Sequence, residues 1–350
     1  MDERQRILVA LSGGVDSAAA AWLLKEAGHE VVGAFISRGA SGECGASPAD
    51  GAREVARFLD VPLEVVDLSG AFERLMDYFC SEYLRGRTPN PCVLCNREIK
   101  FTRLAAEADR LGLDAVATGH YVRSEMRDGR WCLRRGRDAA KDQSYYLCAL
   151  SQKHLSRAVF PLGERTKTEV RALAADVGLP AADTAESQDV CFVHDGEVAR
   201  FVAGRVGAKV RPGDIVDTSG KVVGRHEGIV GFTIGQRRGV GVAMGEPMYV
   251  VDVDPGTNRV VIGRGEDLRV DAFVAENVNW VSVAPLGTAL SCEVQVRYRS
   301  AAVPATVTAA GRFRVRVALD EPQRAVTPGQ AAVFYDGDLL LGGGWITRET

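Results

Sequence analysis

The chain has 350 residues and a formal net charge of −3, with 46% hydrophobic and 25% charged residues. This length predicts two or three domains, and the composition is that of a globular protein rather than a disordered or fibrous one. No apolar run reaches the roughly 18 residues of a membrane span, and the polar start MDERQR is unlike a secretory signal. We therefore expect a cytoplasmic protein without a membrane association, whose nucleic-acid contacts come from local basic patches.

Residues 6–28 (RILVALSGGVDSAAAAWLLKEAG) predict a strand, a glycine turn and a helix. This order aims backbone N–H groups and the hydroxyls of Ser12 and Ser17 at an anion. A Walker loop and a dinucleotide fingerprint are excluded, because no lysine follows the glycines and the GxGxxG spacing is absent. The segment SGGVDS resembles the PP-loop of the ATP pyrophosphatases, which holds the two phosphates that leave when AMP is transferred to a substrate oxygen. The alternative is an ordinary strand–helix turn.

The first 120 residues alternate strand and helix patterns. Strands are predicted at 31–36, 63–66 and 115–118, and helices at 49–59, 71–85 and 98–111, with a Gly/Ser-rich loop at 37–48. Such alternation predicts an α/β fold with a parallel sheet and helices on both faces. Ligands then bind at the carboxyl ends of the strands, so SGGVDS and the strand end at Gly119 should share one pocket.

The later chain changes in character. Residues 131–137 are basic, residues 141–147 are predicted to open a helix, and residues 167–177 form an amphipathic helix. From about residue 209, short alternating segments separated by turn dipeptides predict one or two small β-barrels. The predicted domains are therefore an α/β domain (1–206), a central β-rich domain (207–270) and a C-terminal barrel (271–350); the family resemblance given below implies that the first is catalytic and that the last contacts tRNA.

Eight cysteines in a chain of this length do not indicate a secreted disulfide framework. Cys92 and Cys95 form a CxxC just before a predicted helix, where the helix N-terminus, Arg97 and Lys100 are expected to lower the pKa of a thiol. A structural zinc site needs a second ligand pair, which the sequence lacks. Incidental burial fits the cysteines elsewhere in the chain: Cys44, Cys80, Cys132, Cys148 and Cys292. Two forms of sulfur chemistry that also use Cys191 stay open, namely a persulfide resolved by thiol–disulfide exchange and an iron–sulfur cluster.

Ten segments taken in order resemble the tRNA-specific 2-thiouridylases over nearly the whole chain. They are SGGVDS (12–17), TPNPCVLCNREIKF (88–101), TGHY (118–121), KDQSYYL (141–147), FPLG (160–163), SQDVCF (187–192), GFTIGQRRGVGV (231–242), RYR (297–299), PGQAAVFYDG (328–337) and LGGG (341–344). The resemblance implies a tRNA-uridine 2-sulfurtransferase. ATP would adenylate the C2 oxygen of the wobble uridine (position 34) in tRNAs for Lys, Glu and Gln, and sulfur would displace AMP to give 2-thiouridine and pyrophosphate. The implied sulfur donor is a cysteine desulfurase or a relay protein, and we expect a monomer.

The same resemblance assigns roles to the cysteines. Cys95 matches the nucleophile and Cys191 the residue that carries the persulfide, so a disulfide between them is an expected intermediate. Many family members have Asp at the position of Cys92, so Cys92 cannot be the same acid or base. Cys92, Cys95 and Cys191 would instead suit a [4Fe–4S] cluster whose free iron binds hydrosulfide. The loop at 37–40 also departs from the family pattern.

The remaining site residues are predicted as two groups. The ATP group, in which Asp16 is also expected to orient magnesium, is Ala10, Leu11, Ser12, Gly13, Gly14, Val15, Asp16, Ser17, Ile36 and Gly119. The tRNA group is His120, Lys141, Asp142, Gln143, Arg297, Tyr298 and Gln330. A structural histidine is the alternative for His120. Because a wobble base is stacked in the anticodon loop, it must be everted to reach such a pocket.

Two further features bear on function. Strand patterns at 292–299 and 312–317 bury one face and place arginines on the other, which fits either RNA or a solvated surface. Another PP-loop ATP pyrophosphatase, one that forms an amide or amidine, is the competing enzyme, but it has no use for the three cysteines. A non-catalytic RNA-binding module is the third alternative, and the intact SGGVDS segment argues against it.

Overall fold

A computed structural model describes residues 4–39, 49–180, 190–193, 196–242 and 244–348. Its strands are β1 (Arg6–Ala10), β2 (Glu30–Ser37), β3 (Leu63–Asp67), β4 (Ala115–Ala117), β5 (Val122–Arg127), β6 (Arg130–Arg135), β7 (Ala158–Val159), β8 (Gly213–Asp217), β9 (Val222–His226), β10 (Tyr249–Asp254), β11 (Arg259–Gly263), β12 (Arg269–Trp280), β13 (Leu290–Gln295), β14 (Val303–Ala309), β15 (Arg314–Arg324), β16 (Ala331–Asp336) and β17 (Leu339–Thr347). Its α-helices are α1 (Val15–Glu26), α2 (Asp50–Phe58), α3 (Ser69–Leu84), α4 (Pro91–Leu94), α5 (Thr102–Arg110), α6 (Gln152–Leu155), α7 (Lys167–Asp176) and α8 (Val198–Val206). No α-helix in these ranges is both long and apolar enough to cross a bilayer.

The amino-terminal part is a five-stranded parallel sheet in the order β3-β2-β1-β4-β7. The central strand β1 is buried on both faces because Ile7, Leu8 and Val9 are wholly inaccessible. Helix α1, whose alanines allow close approach, packs on one face, and α5 packs on the other. The carboxyl ends of β1 and β4 therefore lie side by side, as the sequence predicts for a doubly covered parallel sheet.

The carboxyl-terminal part is a closed six-stranded antiparallel barrel. Strand β12 pairs with both β15 and β17, which closes the order β12-β15-β14-β13-β16-β17. A separate sheet of β10-β11-β8-β9 lies between the two parts in sequence. The predicted class, a parallel-sheet domain followed by all-β modules that end in a barrel, is confirmed.

A hairpin of β5 and β6 joins the amino-terminal part to the barrel. Strand β6 pairs with β17 through Leu340↔Leu133, so this basic stretch is a strand that extends the barrel sheet. One apolar cluster contains Val93 of the CxxC, Leu133 of the hairpin and Tyr335 of the barrel. The CxxC segment and the barrel therefore share a core, which short-range sequence patterns do not reveal.

Two predicted helices differ from what the structure shows. Residues 141–147 were expected to open a helix, but only Ser144–Leu147 forms a short 3-10 turn because the preceding residues bond to neighbouring segments. The helix predicted from residue 98 is preceded by a π-helical segment, Cys95–Phe101, and becomes α-helical only from Thr102. Both differences fall beside the candidate site.

Candidate active site

A cavity of about 1350 Å³ opens at the carboxyl end of the parallel sheet. Its walls are the SGGVDS loop, the segment 139–143 and the barrel residues 298–302. The SGGVDS loop and the end of β4 are adjacent because β1 and β4 are paired neighbours, and Tyr121, two residues after Gly119, lines the cavity. The barrel forms a third wall of this cavity.

The SGGVDS loop is held in shape by its own side chains. Ser17 Oγ donates to the Gly14 carbonyl at 2.9 Å and lies 3.1 Å from Ser12 Oγ, which accepts from the Gly14 N–H at 3.3 Å. Gly13 has a φ of +82°, where an L side chain is strained, and an added Cβ would press on the backbone of Gly51. Helix α1 starts directly after this turn, so its positive N-terminus faces the cavity.

Asp16 is paired with residues from two other segments. Lys167 Nζ lies 2.7 and 2.8 Å from its two carboxylate oxygens, and Tyr121 Oη donates to it at 2.7 Å. Lys167 is 7% exposed, whereas the Asp16 side chain is 35% exposed and lines the cavity. The ion pair links the start of α1 to α7. Magnesium in nucleotide sites is held by one or two carboxylates together with phosphates, so the magnesium role of Asp16 stays a prediction.

The other predicted ATP residues lie behind the cavity wall. Leu11 is 2% exposed and donates its N–H to Ala34, while Ile36 packs beside Ile99. A Cβ on Gly119 would lie 2.8 Å from the carbonyl carbon of Asp16, so the glycine lets β4 approach the loop. Ala10 ends β1, and the nucleotide contacts of this rear group stay predictions.

His120 is buried and has partners within the protein. It is 6% exposed, its Nδ1 lies 2.6 Å from Thr118 Oγ1, and its Nε2 lies 3.4 Å from Lys100 Nζ. Burial, aided by the Lys100 charge, lowers the pKa of His120 well below its usual value, so the ring is neutral. Nε2 then accepts from Lys100 and Nδ1–H donates to Thr118. The predicted tRNA contact stays a prediction, and the structure supports the alternative of a structural histidine.

The segment 141–143 lines the cavity, but Asp142 is turned inward. Its carboxylate accepts from the Gly136 N–H at 3.0 Å, from Ser144 Oγ at 2.9 Å and from Arg135 Nη1 at 2.8 Å. Arg135 in turn lies 3.7 Å above the Tyr335 ring of the barrel. Because these groups occupy its oxygens, Asp142 positions the wall, and its predicted base contact is not supported.

Three barrel residues were predicted to contact tRNA, and they differ in placement. Tyr298 lines the cavity and packs on Tyr146 with ring centres 4.4 Å apart. Arg297 donates to the Ile234 carbonyl at 2.9 Å, and Gln330 donates to the Thr88 carbonyl at 2.9 Å. The predicted alternation through residue 299 fails because β13 ends at Gln295, so Arg297 turns into the interior.

The arginine row of β15 has an acidic neighbour. Arg314 pairs with Glu276 of the adjacent strand β12 at 3.3 Å, and Arg312 lies 5.1 Å from the ring centre of the exposed Phe313. Cross-strand pairing of opposite charges relieves the repulsion that a row of arginines would otherwise have. Arg314 of this row is therefore relieved by an acidic neighbour within the barrel.

The CxxC thiols have raised pKa values, so the prediction of a thiolate near neutral pH is wrong. Burial raises the pKa of Cys92 to about 12, and burial also raises the pKa of Cys95. Cys95 sits at the junction of α4 and the π-helical segment rather than at a free helix start, so no open N-terminus faces it. Arg97, the second expected cation, pairs with Glu98 at 2.8 Å and lies over the Trp345 ring.

Lys100 is the cation of this helix that does face the thiols. Its charge lowers the pKa of both Cys92 and Cys95, against the larger effect of burial. In an α-helix, residues five apart point about 140° away from each other. The π-helical hydrogen bonding between residues i and i+5 instead brings Cys95 and Lys100 to one side. Lys100 also lines the cavity that the SGGVDS loop lines.

Cys191 lies in the same neighbourhood as the CxxC. Its charged form raises the pKa of Cys92 and of Cys95, and the adjoining Phe192 packs in the cluster that contains Cys95. All three thiols are free. The convergence of Cys95 and Cys191, on which the sulfur-transfer interpretation depends, is therefore present. Residues 187–189 of the SQDVCF segment, and Cys44, lie outside the described residues.

The structure does not favour an iron–sulfur cluster. Within the described ranges, which include Cys92, Cys95 and Cys191, no three His, Cys, Asp or Glu side chains are grouped closely enough to hold a metal ion. These residues therefore do not fit the cluster, and no step below depends on one.

Sequence reasoning missed four residues of this site. Lys167 and Tyr121 hold Asp16, and Arg135 holds Asp142, while Lys100 was noted only as a charge near the CxxC. The available signals were the lysine at the N-terminus of a capped helix and the tyrosine that directly follows TGH. Neither signal identifies its partner, since each contact joins segments far apart in the chain.

Replacing Lys100 by methionine should slow alkylation of Cys95 by iodoacetamide and shift its pH dependence. A thiol reacts as the thiolate, and loss of the cation raises the pKa of Cys95 further. At any pH below that pKa less thiolate is present, so we expect a decrease of about tenfold at pH 8. Mass spectrometry of the 88–97 peptide measures it, with Lys153→Met on α6 as the control. An unchanged pH profile would contradict this role.

Family models match three consecutive parts of the chain. The model described as the tRNA methyl transferase HUP domain matches residues 5–195, the tRNA methyl transferase PRC-barrel domain matches 199–264, and the aminomethyltransferase beta-barrel domain matches 270–346. The first alone spans more than half of the chain.

Curated relatives match over the full length. The "tRNA-specific 2-thiouridylase MnmA" of Moorella thermoacetica is 46% identical and covers 97% of this chain and 98% of its own. The protein of the same name from Syntrophotalea carbinolica is 49% identical over 99% of both chains. The chain belongs to the tRNA-specific 2-thiouridylase family. Among solved structures, a 4-thiouridine synthetase–RNA complex with bound ATP is 20% identical, with 53% of this chain and 44% of that one covered at a TM-score of 0.38.

Membership of this family confirms the resemblance that the sequence shows from the SGGVDS segment to the C-terminal barrel. The HUP match ends at residue 195, just after Cys191, so all three cysteines belong to the same matched unit. The description of that model names methyl transfer, whereas the curated 2-thiouridylases carry a name of sulfur chemistry. The convergence of Cys95 with Cys191 fits the second description, since methyl transfer does not require paired thiols.

Proposed function

We propose that this chain uses ATP to replace the C2 oxygen of the wobble uridine (position 34) by sulfur in tRNAs for Lys, Glu and Gln. Membership of the 2-thiouridylase family makes it a tRNA-uridine 2-sulfurtransferase. The proposal that ATP and sulfur chemistry share one site depends on the position of Lys100. This residue lines the same cavity as SGGVDS, and its charge acts on Cys95. One lysine thus connects a phosphate-binding loop with a pair of thiols.

In the first step, the uridine C2 oxygen attacks the α-phosphate of ATP and pyrophosphate leaves. The SGGVDS loop and the N-terminus of α1 hold the leaving phosphates through backbone N–H groups and hydroxyls. The uridine loses its N3 proton as the C2–O–P bond forms, which makes C2 electrophilic. The cavity of about 1350 Å³ has room for both a nucleotide and an everted base, because each needs only a fraction of that volume.

The everted base would be held at the other walls of the cavity. Tyr298 offers an aromatic face for stacking, and Lys141 and Gln143 stand beside it on the facing segment. Lys141 suits a backbone phosphate and Gln143 suits a base edge. Because Tyr298 belongs to the barrel, that domain takes part in substrate binding.

In the second step, the terminal sulfur of a persulfide on Cys191 attacks C2, and AMP leaves with the electrons of the C2–O bond. The Cys95 thiolate then attacks Cys191 Sγ, which breaks the bond to the transferred sulfur and leaves that sulfur on C2. The base takes up a proton at N3. A Cys95–Cys191 disulfide remains, and a dithiol reductant returns both residues to thiols by exchange.

The persulfide itself requires a sulfur donor, a cysteine desulfurase or a relay protein. Cys191 is exposed, whereas Cys95 is partly buried, so an incoming donor meets Cys191 first. This difference in exposure supports the assignment of the persulfide to Cys191. Burial raises the pKa of Cys95 and the Lys100 charge opposes that effect, so the resolving thiol ionises more readily than burial alone would allow.

The test is to incubate the protein with ATP, unmodified tRNA and a persulfide donor, and to quantify AMP and 2-thiouridine. Equal amounts of both products, lost together when ATP is omitted, are the expected result. AMP formation that depends on an added amine rather than on tRNA would favour the amide-forming alternative. Absence of AMP under every condition would leave only an RNA-binding role.

A further inference from the structure

Arg38 reaches across the fold to the segment that carries Cys191. It follows directly after β2, in the loop that departs from the family pattern, and its Nη1 donates to the Cys191 carbonyl at 2.7 Å. The two residues are 153 positions apart in sequence, so nothing local in the chain accounts for their contact. A charged donor to a carbonyl is among the stronger hydrogen bonds of a protein surface.

The opposite side of the Cys191 segment is held by aromatic packing. Phe192 lies edge-on to Phe79 of α3 with ring centres 5.3 Å apart, and 5.5 Å from Phe201 of α8. It also packs with Ile99, which lies in the π-helical segment that begins at Cys95. Phe192 thus anchors the Cys191 segment to the protein through its partly buried ring. A second contact is needed to fix how the segment is rotated about Phe192.

We propose that Arg38 is a positioning residue that turns Cys191 toward Cys95 for sulfur transfer. The role of Arg38 in sulfur transfer rests on the proposed function, but its effect on the position of Cys191 can be tested without tRNA. Arg38 has a second effect in the same direction, since its charge lowers the pKa of Cys95. One guanidinium therefore acts on both partners of the exchange.

The experiment measures how fast Cys95 and Cys191 form a disulfide with diamide. Each thiol gives up a proton, the S–S bond forms, and the two electrons and two protons reduce the azo bond of diamide to a hydrazine. All proteins carry Cys92→Ser so that the CxxC cannot react within itself. Peptide mapping of samples quenched with acid identifies the 95–191 link and gives its rate.

We expect Arg38→Gln to form this link about fivefold more slowly than the parent, while Arg38→Lys, which keeps the charge, stays within about twofold. Arg103→Gln, an exposed change on α5, should match the parent. Thermal unfolding and binding of ATP should be equal in all four proteins, because Arg38 is exposed and, among the described residues, its side-chain hydrogen bond goes to the Cys191 carbonyl. A purely structural role would instead lower the unfolding temperature of Arg38→Gln.

The inference is wrong if Arg38→Gln links at the parent rate, or if Arg103→Gln is slowed equally. Failure of the protein with Cys92 intact to thiolate tRNA, with the Arg38 effect on the disulfide rate intact, would instead reject the proposed function and leave the contact in place. The Arg38 substitutions are also assayed in proteins that keep Cys92, where the same fivefold decrease is expected in single-turnover sulfur transfer to tRNA.

Discussion

Replacing Cys95 by serine should reduce tRNA thiolation by about a thousandfold or more while AMP formation in the first turnover continues. A serine hydroxyl is neither acidic nor nucleophilic enough to open a persulfide or a disulfide. Adenylation depends on the SGGVDS loop and on the walls around it, and the serine leaves that loop unchanged. The two half-reactions should therefore separate in one variant.

The measurement is rapid-quench analysis of AMP and 2-thiouridine on one sample of persulfide-loaded protein. Cys292→Ser, a change at a half-buried thiol of barrel strand β13, is the matched control and should keep both activities. Cys191→Ser should resemble Cys95→Ser in thiolation and should also fail to accept sulfur from the donor. Thiolation by Cys95→Ser at more than a tenth of the parent rate would overturn the role of that thiol.

Replacing Gly119 by alanine should weaken ATP binding by about a hundredfold and destabilise the protein by about 1–3 kcal/mol, the usual cost of overpacking. The added Cβ would lie 2.8 Å from the Asp16 carbonyl carbon and 3.0 Å from the Ser17 nitrogen. Both are backbone atoms at the start of α1, so no side chain can turn away to make room. The loop must move as a whole, and with it the N–H groups that hold phosphate.

Calorimetric titration with ATP and thermal unfolding measure the two effects. Gly204→Ala in α8 is the matched control, because a Cβ there meets no atom within 4 Å. That change should leave ATP affinity unaltered and stabilise the helix slightly. Unchanged ATP affinity in Gly119→Ala would show that the loop does not hold the nucleotide in the way we describe.

The pattern of SGGVDS between a buried strand and an alanine-rich helix predicted the phosphate loop, and the βα alternation predicted its place in the parallel sheet. Such features are local, since a glycine turn and a hydrophobic period act within a few residues. The CxxC and Cys191 were likewise visible as residue types. Their family resemblance was enough to predict sulfur transfer to tRNA.

The electrostatic state of the thiols could not be predicted in this way. A pKa depends on burial and on charges from every packed segment, and here burial outweighs Lys100, which reverses the predicted direction at Cys95. The inward turn of Asp142 has the same origin, because its partners come from a hairpin that pairs with the barrel.

The sequence by itself therefore determined the class of fold, the family and the place of the SGGVDS loop in the sheet, because these depend on residue type and short-range order. Only the tertiary structure decided which side chains meet. The pairing of Lys167 with Asp16, the π-helical turn that brings Lys100 beside Cys95, and the reach of Arg38 to Cys191 all join distant segments. The geometry of these contacts depends on how the whole chain packs, so it cannot be predicted from any single stretch of sequence.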